Sequence, residues 1–490
     1  MISSAPDFSA IRAAIAALEP SPRVEPNETI SVERTFFPEG HRGVLDLRRQ
    51  LVVGNRGMGK SFWTHALLNS DLRGRLASVY GHRQLTTAKV FLGFNGSDKV
   101  NETAPTIDEV TGLLEGGVHP ELIWRAVLIR IASRFLPDSA ERRQNNFVGN
   151  LGDLIKGLQA DANHYSGVLS AADDELARTG STLLIVFDAL DRLGRDWDSI
   201  QKLTRALLLL AVGLQSFSSI RVKIFMRVDQ FSDPDLFRFP DSSKIKNDHV
   251  NLIWWAHELY GLLLFELLRN DSSREALELL TARERASEAL PKVGVNSWGN
   301  LEAQTRLING IAGEFMGSNK KRGQVYTWVP LHLSDAAQTC SPRSFLIAWK
   351  KAAEHLPAPE GKAVDHLGLL DGVRSASTSR LAELYEDYPW IKLALDSLRR
   401  QFVPMERDQL FIIWKGQDVI EHIRRSASTD PRYTPVKFVV GDEPSALLSS
   451  MRDVGVMEER ANGKINVPDI FRVEAEILRR GGVAVPKRFG

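Results

Sequence analysis

The sequence is poor in several features that mark particular classes of protein. A single cysteine, Cys340, stands among 490 residues. This excludes a disulfide framework and a cysteine-rich zinc site, and it favours a reducing cytoplasm. The longest apolar runs, such as residues 206–212, are far too short to cross a membrane. The N-terminus has no basic region followed by an apolar core, so we expect no signal peptide.

The chain also lacks a strong overall charge. Its formal net charge is +1, which excludes a polyelectrolyte binder as a whole but leaves room for a local basic face. No repeat of fixed period and no low-complexity tract is visible. The apolar fraction of 43% and the charged fraction of 25% are ordinary for globular proteins. With this length we expect two to four domains.

One segment has the form of a phosphate-binding loop. It spans residues 54–61, and its members with the next residue are Gly54, Asn55, Arg56, Gly57, Met58, Gly59, Lys60, Ser61 and Phe62. The spacing is Gly-x-x-x-x-Gly-Lys-Ser. The glycines allow backbone N–H groups to approach phosphate, Lys60 would reach the β- and γ-phosphates, and Ser61 would bind Mg²⁺. The alternative is a plain glycine turn, but an apolar strand precedes it and a helix follows it.

A second signal is an apolar run that ends in a carboxylate. Residues 183–187 read Leu-Leu-Ile-Val-Phe and are followed by Asp188. A buried strand that delivers Asp188 to the sheet edge would supply a second Mg²⁺ ligand. Asp191 would orient or deprotonate the attacking water. The alternatives are a solvated strand end for Asp188, and a helix N-cap or a partner of Arg192 for Asp191.

Two arginines are candidates for sensing the nucleotide. Arg227 ends the next predicted strand and would lie near the γ-phosphate, unless it only forms a surface pair with Asp229. Arg343 follows Ser341-Pro342, which suits the start of a helix. From there it would project back toward the nucleotide, unless it is simply exposed.

The order of predicted elements indicates an α/β fold with a doubly wound parallel sheet. We predict strands at 44–55, 88–94, 182–187, 220–226 and 249–253, and helices at 8–18, 61–68, from 120 onward, 200–215 and 258–268. We predict four regions, namely an N-terminal extension over 1–45, a P-loop core over 46–270 with a helical insertion or lid at about 137–180, a helical lid over 271–380, and a winged-helix-like domain over 381–490.

The last region shows the order of elements of a winged helix. A helix is predicted at 447–456, and two strands at 457–460 and 464–467 are joined by the turn signal Asn462-Gly463. The candidate recognition helix, 445–456, has Arg452 as its only basic residue. A packing or regulatory role is therefore favoured over DNA contact, although the basic pairs 479–480 and 487–488 leave DNA contact open.

These motifs together resemble AAA+/STAND-type P-loop ATPases. The segment Asp188-Ala189-Leu190-Asp191-Arg192 is similar to that of KAP-like ATPases, many of which act in bacterial anti-phage and other conflict systems. In that resemblance Arg227 takes the place of the strand-end arginine of STAND proteins, and Arg343 that of the lid (sensor 2) arginine of AAA+ proteins. The sequence departs from the pattern at Asp191, where many such ATPases carry Glu, and this points to slow hydrolysis.

The resemblance implies an ATP- and Mg²⁺-dependent molecular switch. Its partner would be an effector or regulatory protein of a bacterial defence system, encoded nearby, or a second copy of the chain. The alternative is an AAA+ ATPase that loads onto DNA through its winged helix, of the initiator or transposition type. A third reading is a nucleotide-binding scaffold without turnover.

Overall fold

A computed structural model describes residues 5–21, 35–137, 150–161, 163–194, 196–291, 300–435 and 443–481. The chain forms two compact units, one over His41–Leu252 and one that joins Met1–Gly40 to Ile253–Gly490. In these described ranges no helix is long and apolar enough to cross a membrane.

The first unit alternates strands with helices. Its strands are β1 (Leu51–Val53), β2 (Ala88–Phe94), β3 (Thr182–Phe187), β4 (Ile220–Met226) and β5 (Val250–Asn251). With α1 kept for Phe8–Ala16 of the other unit, its helices are α2 (Lys60–Leu68), α3 (Ser70–Tyr80), α4 (Ile107–Glu115), α5 (Pro120–Ala132), α6 (Leu151–Ala160), α7 (His164–Arg178), α8 (Trp197–Gly213), α9 (Val228–Ser232) and α10 (Ser242–Lys246).

The five strands form one parallel sheet in the order β2-β3-β4-β1-β5. The register pairs Leu51 of β1 with Ile224 of β4, and Leu183 of β3 with Ile220 of β4. Because β4 lies between β1 and β3, the carboxyl ends of these three strands are neighbours. The doubly wound parallel fold is therefore confirmed.

The predicted first strand is too long. Residues 39–45 form a 3-10 helix, and only Leu51–Val53 pair in the sheet. The buried Lys223 of β4 explains the irregular approach, because its ammonium donates to the backbone carbonyls of Asp46, at 2.6 Å, and of Arg49. These carbonyls turn toward Lys223 instead of toward a neighbouring strand.

The helices of the predicted insertion or lid at 137–180 pack against the core. Residues 138–149 lie outside the described residues, but α6 and α7 pack against α5. Their apolar faces bury Ile155, Leu169 and Leu176 in the same cluster as Ile185 of β3. Since an amphipathic helix must bury its apolar stripe, these two helices extend the core.

The second unit is mainly helical. Its elements are α1 (Phe8–Ala16), α11 (Ala256–Leu268), α12 (Asp271–Arg283), α13 (Leu301–Ala312), α14 (Val325–His332), α15 (Pro342–Glu354), α16 (His366–Asp387), α17 (Pro389–Asp396), β6 (Phe402–Val403), α18 (Arg407–Gly416), α19 (Val419–Ala427), α20 (Glu443–Asp453), β7 (Glu458–Glu459), β8 (Ile465–Asn466), α21 (Asp469–Arg472) and β9 (Leu478–Arg479).

Three predicted boundaries differ from the structure. Helix α1, predicted as an extension, packs on α15 and α12 and buries Ile11 and Ile15. Helix α11 lies in the second unit, so the core ends at Leu252 and not at 270. Helix α16 runs through the predicted border at 380 and ends at Asp387. Pro389 explains this end, because proline disfavours the helical conformation at the residue before it.

Helices α15 and α16 approach each other unusually closely. A Cβ added to Gly372 would lie 2.1 Å from the carbonyl oxygen of Ala348, and one added to Gly368 would lie 2.6 Å from that of Ala352. Glycine is therefore required at both positions for the two backbones to touch.

The C-terminal part contains the helix and the hairpin that the sequence predicts there. Strands β7 and β8 form an antiparallel hairpin with Gly463 in the left-handed region at φ 78°. Met405, just after β6, forms an isolated antiparallel bridge with Ile465 of β8, beside the two-stranded hairpin. Helix α20 precedes the hairpin, as the Asn-Gly turn and the apolar pattern predict. Residues 436–442 and the basic pair 487–488 lie outside the described residues.

Candidate nucleotide site

The phosphate loop, residues 54–61, leaves the carboxyl end of β1. Gly54 donates its N–H to the carbonyl of Met226 at 3.1 Å, which fixes the start of the loop against the end of β4. A Cβ on Gly54 would lie 3.1 Å from Leu252, so the loop enters a space that suits glycine. The start of the loop is thus held between the end of β4 and Leu252, which follows β5.

The loop then turns through two left-handed residues into α2. Gly57 has φ 82° and Gly59 has φ 102°, values that other residues rarely adopt. Gly59 is the N-cap of α2 and offers no side chain to the first N–H groups of the helix. These N–H groups and the positive end of the helix dipole therefore face the loop as an anion site.

Lys60 lies folded into this loop. Its ammonium donates to the carbonyls of Gly54 at 2.8 Å and Asn55 at 3.1 Å. Burial, and after it the charge of Arg227, lower the pKa of Lys60 to about 8. A phosphate group would replace these carbonyls with stronger, charged acceptors.

Asp188 follows β3 and is only 5% exposed. Its carboxylate accepts hydrogen bonds from the N–H of Ala189 at 2.8 Å and from the hydroxyl of Thr64 at 3.0 Å. Burial raises the pKa of Asp188, and these two hydrogen bonds and Lys60 oppose the rise. Asp188 is therefore held in one orientation beside α2.

Arg227 follows β4 and lies between two carboxylates. Its guanidinium is 3.4 Å from Asp191 and 3.3 Å from Asp229, and its side chain is 13% exposed. The pair with Asp229 that the sequence suggested therefore exists, and the arginine also contacts Asp191, whereas its role toward the γ-phosphate stays a prediction. Asp191 sits in the 3-10 turn Leu190–Arg192 and pairs with Arg227, whereas Arg192 donates to Gly96.

The charges around Lys60 show that these residues form one cluster. Its ammonium interacts electrostatically with Asp188, Asp191 and Asp229 as well as with Arg227. Three carboxylates and two cations are therefore gathered at the end of β1, β3 and β4. This composition suits a triphosphate with its cation, because the lysine and the arginine can face the phosphates while the carboxylates face the cation.

The residues present fit a Mg²⁺ ion that arrives with the nucleotide. The described ranges contain no group of three or more His, Cys, Asp or Glu side chains that could hold a metal ion. Mg²⁺ needs few protein ligands when phosphate oxygens and water complete its shell. Ser61, exposed in the first turn of α2, and Asp188 would supply them.

The other predicted residues are distributed as follows. Asn55 and Arg56 are half-buried in the loop, Met58 is buried, and Phe62 packs edge-on against Trp63 with ring centroids 5.5 Å apart. Arg343 lies in the second unit at the start of α15, where it pairs with Glu383 of α16 at 2.6 Å. Its action on the nucleotide stays a prediction.

Two site residues escape the sequence motifs. Thr64 lies one helical turn beyond Ser61, and only the packing of α2 against the end of β3 shows that its hydroxyl meets Asp188. Asp229 is visible in the sequence as a partner of Arg227, but its place beside Lys60 depends on the strand order. A β-strand followed by Arg-x-Asp could have signalled it.

The fold and the site have the form of a P-loop nucleotide-binding domain. Its sheet, read as β5-β1-β4-β3-β2, places the loop strand β1 between β5 and β4, with Asp188 and Arg227 at the adjoining strand ends. The narrower STAND or KAP assignment finds no support in these observations.

Comparison with known proteins yields distant structural similarity only. No protein-family model matches the chain, and a search of the curated proteins finds no match. The Walker-type ATPase PABY2304 of Pyrococcus abyssi is 12% identical, with 92% of this chain and 99% of that chain covered and a TM-score of 0.38. The Aeropyrum pernix ORC1 protein in complex with DNA is 15% identical, with 95% and 96% covered and a TM-score of 0.31.

Drosophila ORC bound to DNA is 12% identical, with 96% and 93% covered and a TM-score of 0.29. At such identities and TM-scores these similarities do not carry the assignment of the fold. That assignment depends on the strand order and the phosphate loop of this chain.

Proposed function

We propose that the protein binds Mg²⁺-ATP at the phosphate loop, hydrolyses it slowly, and works as a nucleotide-controlled switch. One observation carries this proposal. Lys60, Asp188, Asp191 and Arg227, which are far apart in sequence, lie together at the carboxyl ends of three adjacent strands. A nucleotide-binding scaffold without turnover would have no need of Asp191 and Arg227 at this edge.

Binding would begin with an exchange of partners by Lys60. Its ammonium would leave the carbonyls of Gly54 and Asn55 for the β- and γ-phosphates, while the N–H groups at the start of α2 receive phosphate oxygens. Ser61 and Asp188 would hold the Mg²⁺ that accompanies the nucleotide. When bound, the ion would neutralise charge on the phosphates.

Hydrolysis would use Asp191 as the group that accepts a proton from water. The water oxygen bonds to the γ-phosphorus, the bond from that phosphorus to the bridging oxygen breaks, and ADP and phosphate leave. Two features favour a slow rate. Aspartate reaches less far than glutamate, and Asp191 would have to leave Arg227 before it could contact the attacking water.

Arg227 would make the site sensitive to the third phosphate. A guanidinium binds the γ-phosphate only while that group is present, and returns to Asp191 and Asp229 after its release. A nucleotide contact by Arg343, which pairs with Glu383, stays a prediction from the sequence.

ATP turnover tests this proposal. We expect Lys60→Ala and Asp188→Asn to abolish turnover, and Asp191→Asn to lower it by about 10²–10⁴-fold, the range typical of general-base catalysis. Lys89→Ala, which removes an exposed lysine from β2 of the same sheet, is the matched control. Equal rates for wild type and Lys60→Ala would refute the ATPase proposal.

For the partner, the geometry of residues 402–435 and 443–466 supports a second proposal, contact with duplex DNA. Helix α20 and the β7–β8 hairpin, with the Met405 bridge beside it, have the arrangement of a fold that places a helix in the major groove and a wing on phosphate. An effector protein of a bacterial defence system, or a second copy of the chain, stays a prediction from the sequence.

A further inference from the structure

A short basic hairpin lies in the helical part of the second unit. We name residues 315–324, between α13 and α14, the basic hairpin. Phe315 pairs with Gln324, and Met316 donates its N–H to Gly323 at 2.9 Å. The tip is a 3-10 turn that carries Lys320, Lys321 and Arg322. The segment from 315 to 324 contains no aspartate or glutamate.

The shape of the basic hairpin is well determined. The side chain of Asn319 accepts the N–H of Lys321 at 3.1 Å, and its carbonyl accepts that of Arg322 at 3.1 Å. Gly323, with φ 96°, lies so close to Trp328 that an added Cβ would be 2.9 Å from its ring. The three cations are therefore presented by a turn with a fixed base and not by an extended loop.

These three cations are exposed and lack carboxylate partners. Lys320, Lys321 and Arg322 are each exposed, and none forms an ion pair within the described part of the chain. Lys362 adds a further cation at the base of the hairpin, since a Cβ on Gly313 would be 2.7 Å from its ammonium. Such a surface attracts a polyanion, because hydrated cations can bind phosphates without first losing another partner.

The wing, by which we mean the β7–β8 hairpin with the helices α18 and α20 beside it, offers a contrast in the same unit. Its cations are already paired with glutamates: Arg407 with Glu459 at 3.1 Å, Arg452 with Glu459 at 3.1 Å, Lys464 with Glu406 at 2.9 Å, and Arg460 with Glu458 at 3.8 Å. The two cations of the basic pair 479–480 are also occupied: Arg479 pairs with Asp469 at 2.6 Å, and Arg480 lies over the ring of Phe402 at 4.9 Å. A DNA phosphate would have to compete with these partners.

We propose that the basic hairpin is the main electrostatic contact of this protein with duplex DNA. This inference rests on the second proposal above, DNA binding, and not on ATP hydrolysis. Duplex DNA is the chosen polyanion because the hairpin shares a compact unit with a winged-helix arrangement, the fold that lies along duplex DNA. The basic hairpin would supply the phosphate contacts that the paired wing lacks.

Binding of the full chain to a labelled DNA duplex tests the proposal. Each phosphate contact contributes about 0.9 to the slope of log affinity against log salt, so three contacts contribute about 2.7. We expect the variant Lys320→Ala/Lys321→Ala/Arg322→Ala to lose that part of the slope. Between about 50 and 200 mM salt, this part corresponds to about a 40-fold change in wild-type affinity. Lys320→Arg/Lys321→Arg should bind as wild type does.

The matched control removes three cations from the wing, as Arg407→Ala/Arg452→Ala/Lys464→Ala, and should retain affinity within about threefold. A loss in this variant as large as in the hairpin variant, or an unchanged slope in the hairpin variant, would overturn the inference. Absence of binding by wild type would overturn it together with the DNA proposal. ATP turnover without DNA, measured on the same variants, should be unchanged and decides the ATPase proposal separately.

Discussion

Raising the pH above 8 should weaken ATP binding, because Lys60 then loses its proton. Burial and the charge of Arg227 lower the pKa of Lys60 to about 8 in the free protein. Bound phosphates favour the charged ammonium and raise that pKa again. Binding is therefore accompanied by proton uptake, with full affinity below pH 8 and falling affinity above it.

The magnitude follows from the protonated fraction of Lys60. For a pKa of about 8, this fraction falls from about 0.76 at pH 7.5 to about 0.03 at pH 9.5. We expect the affinity for ATP to fall by about 25-fold over this range if only the protonated form binds. The assay is a titration with a fluorescent ATP analogue in EDTA, so that the binding of Mg²⁺ does not contribute.

Two variants separate this effect from a general loss of structure. Lys60→Arg stays charged over the whole range and should show a flat profile, whatever its absolute affinity. Arg227→Gln removes the second cause of the lowered pKa and should move the midpoint to higher pH. Burial lowers the pKa of the other buried lysine, Lys223, to about 7, so its titration is centred below the pH range of the assay. A flat wild-type profile, or the same slope in Lys60→Arg, would refute the reasoning.

Two further predictions follow from contacts in the two units. Thr64→Val removes the hydroxyl that donates to Asp188. Because loss of a residue that orients a metal ligand weakens metal binding, this variant should raise the Mg²⁺ concentration for half-maximal turnover by about 10-fold or more. Binding of ATP in EDTA should be unchanged, and an unaltered Mg²⁺ requirement would contradict the assigned role. Gly372→Ala should destabilise the second unit by about 1–3 kcal/mol in a denaturant titration, because its Cβ would meet the carbonyl of Ala348. Gly157→Ala in α6, which meets no atom within 4 Å, should instead be neutral or stabilising by up to about 1 kcal/mol. Equal effects of the two alanines would argue against the close approach of α15 and α16.

The sequence by itself determined the phosphate loop and the strands that frame it. The spacing of Gly54, Gly59 and Lys60 reflects backbone chemistry that is local to the loop, so no distant residue is needed to recognise it. The runs at β2, β3 and β4 match their predicted limits. For β3 the physical reason is that a strand buried on both faces must be continuously apolar. The Asn-Gly turn at Gly463 is equally local.

Only the tertiary structure decided what the local patterns left open. Strand order brought Arg227 to Asp191, since a sequence does not state which strands are neighbours. Helix packing brought Thr64 to Asp188, and it placed the helices of the predicted insertion against the core. Only the structure shows that the cations of the wing form ion pairs with glutamates and that those of the basic hairpin do not within the described residues. The reason is that ion pairs often join residues that are distant in the chain.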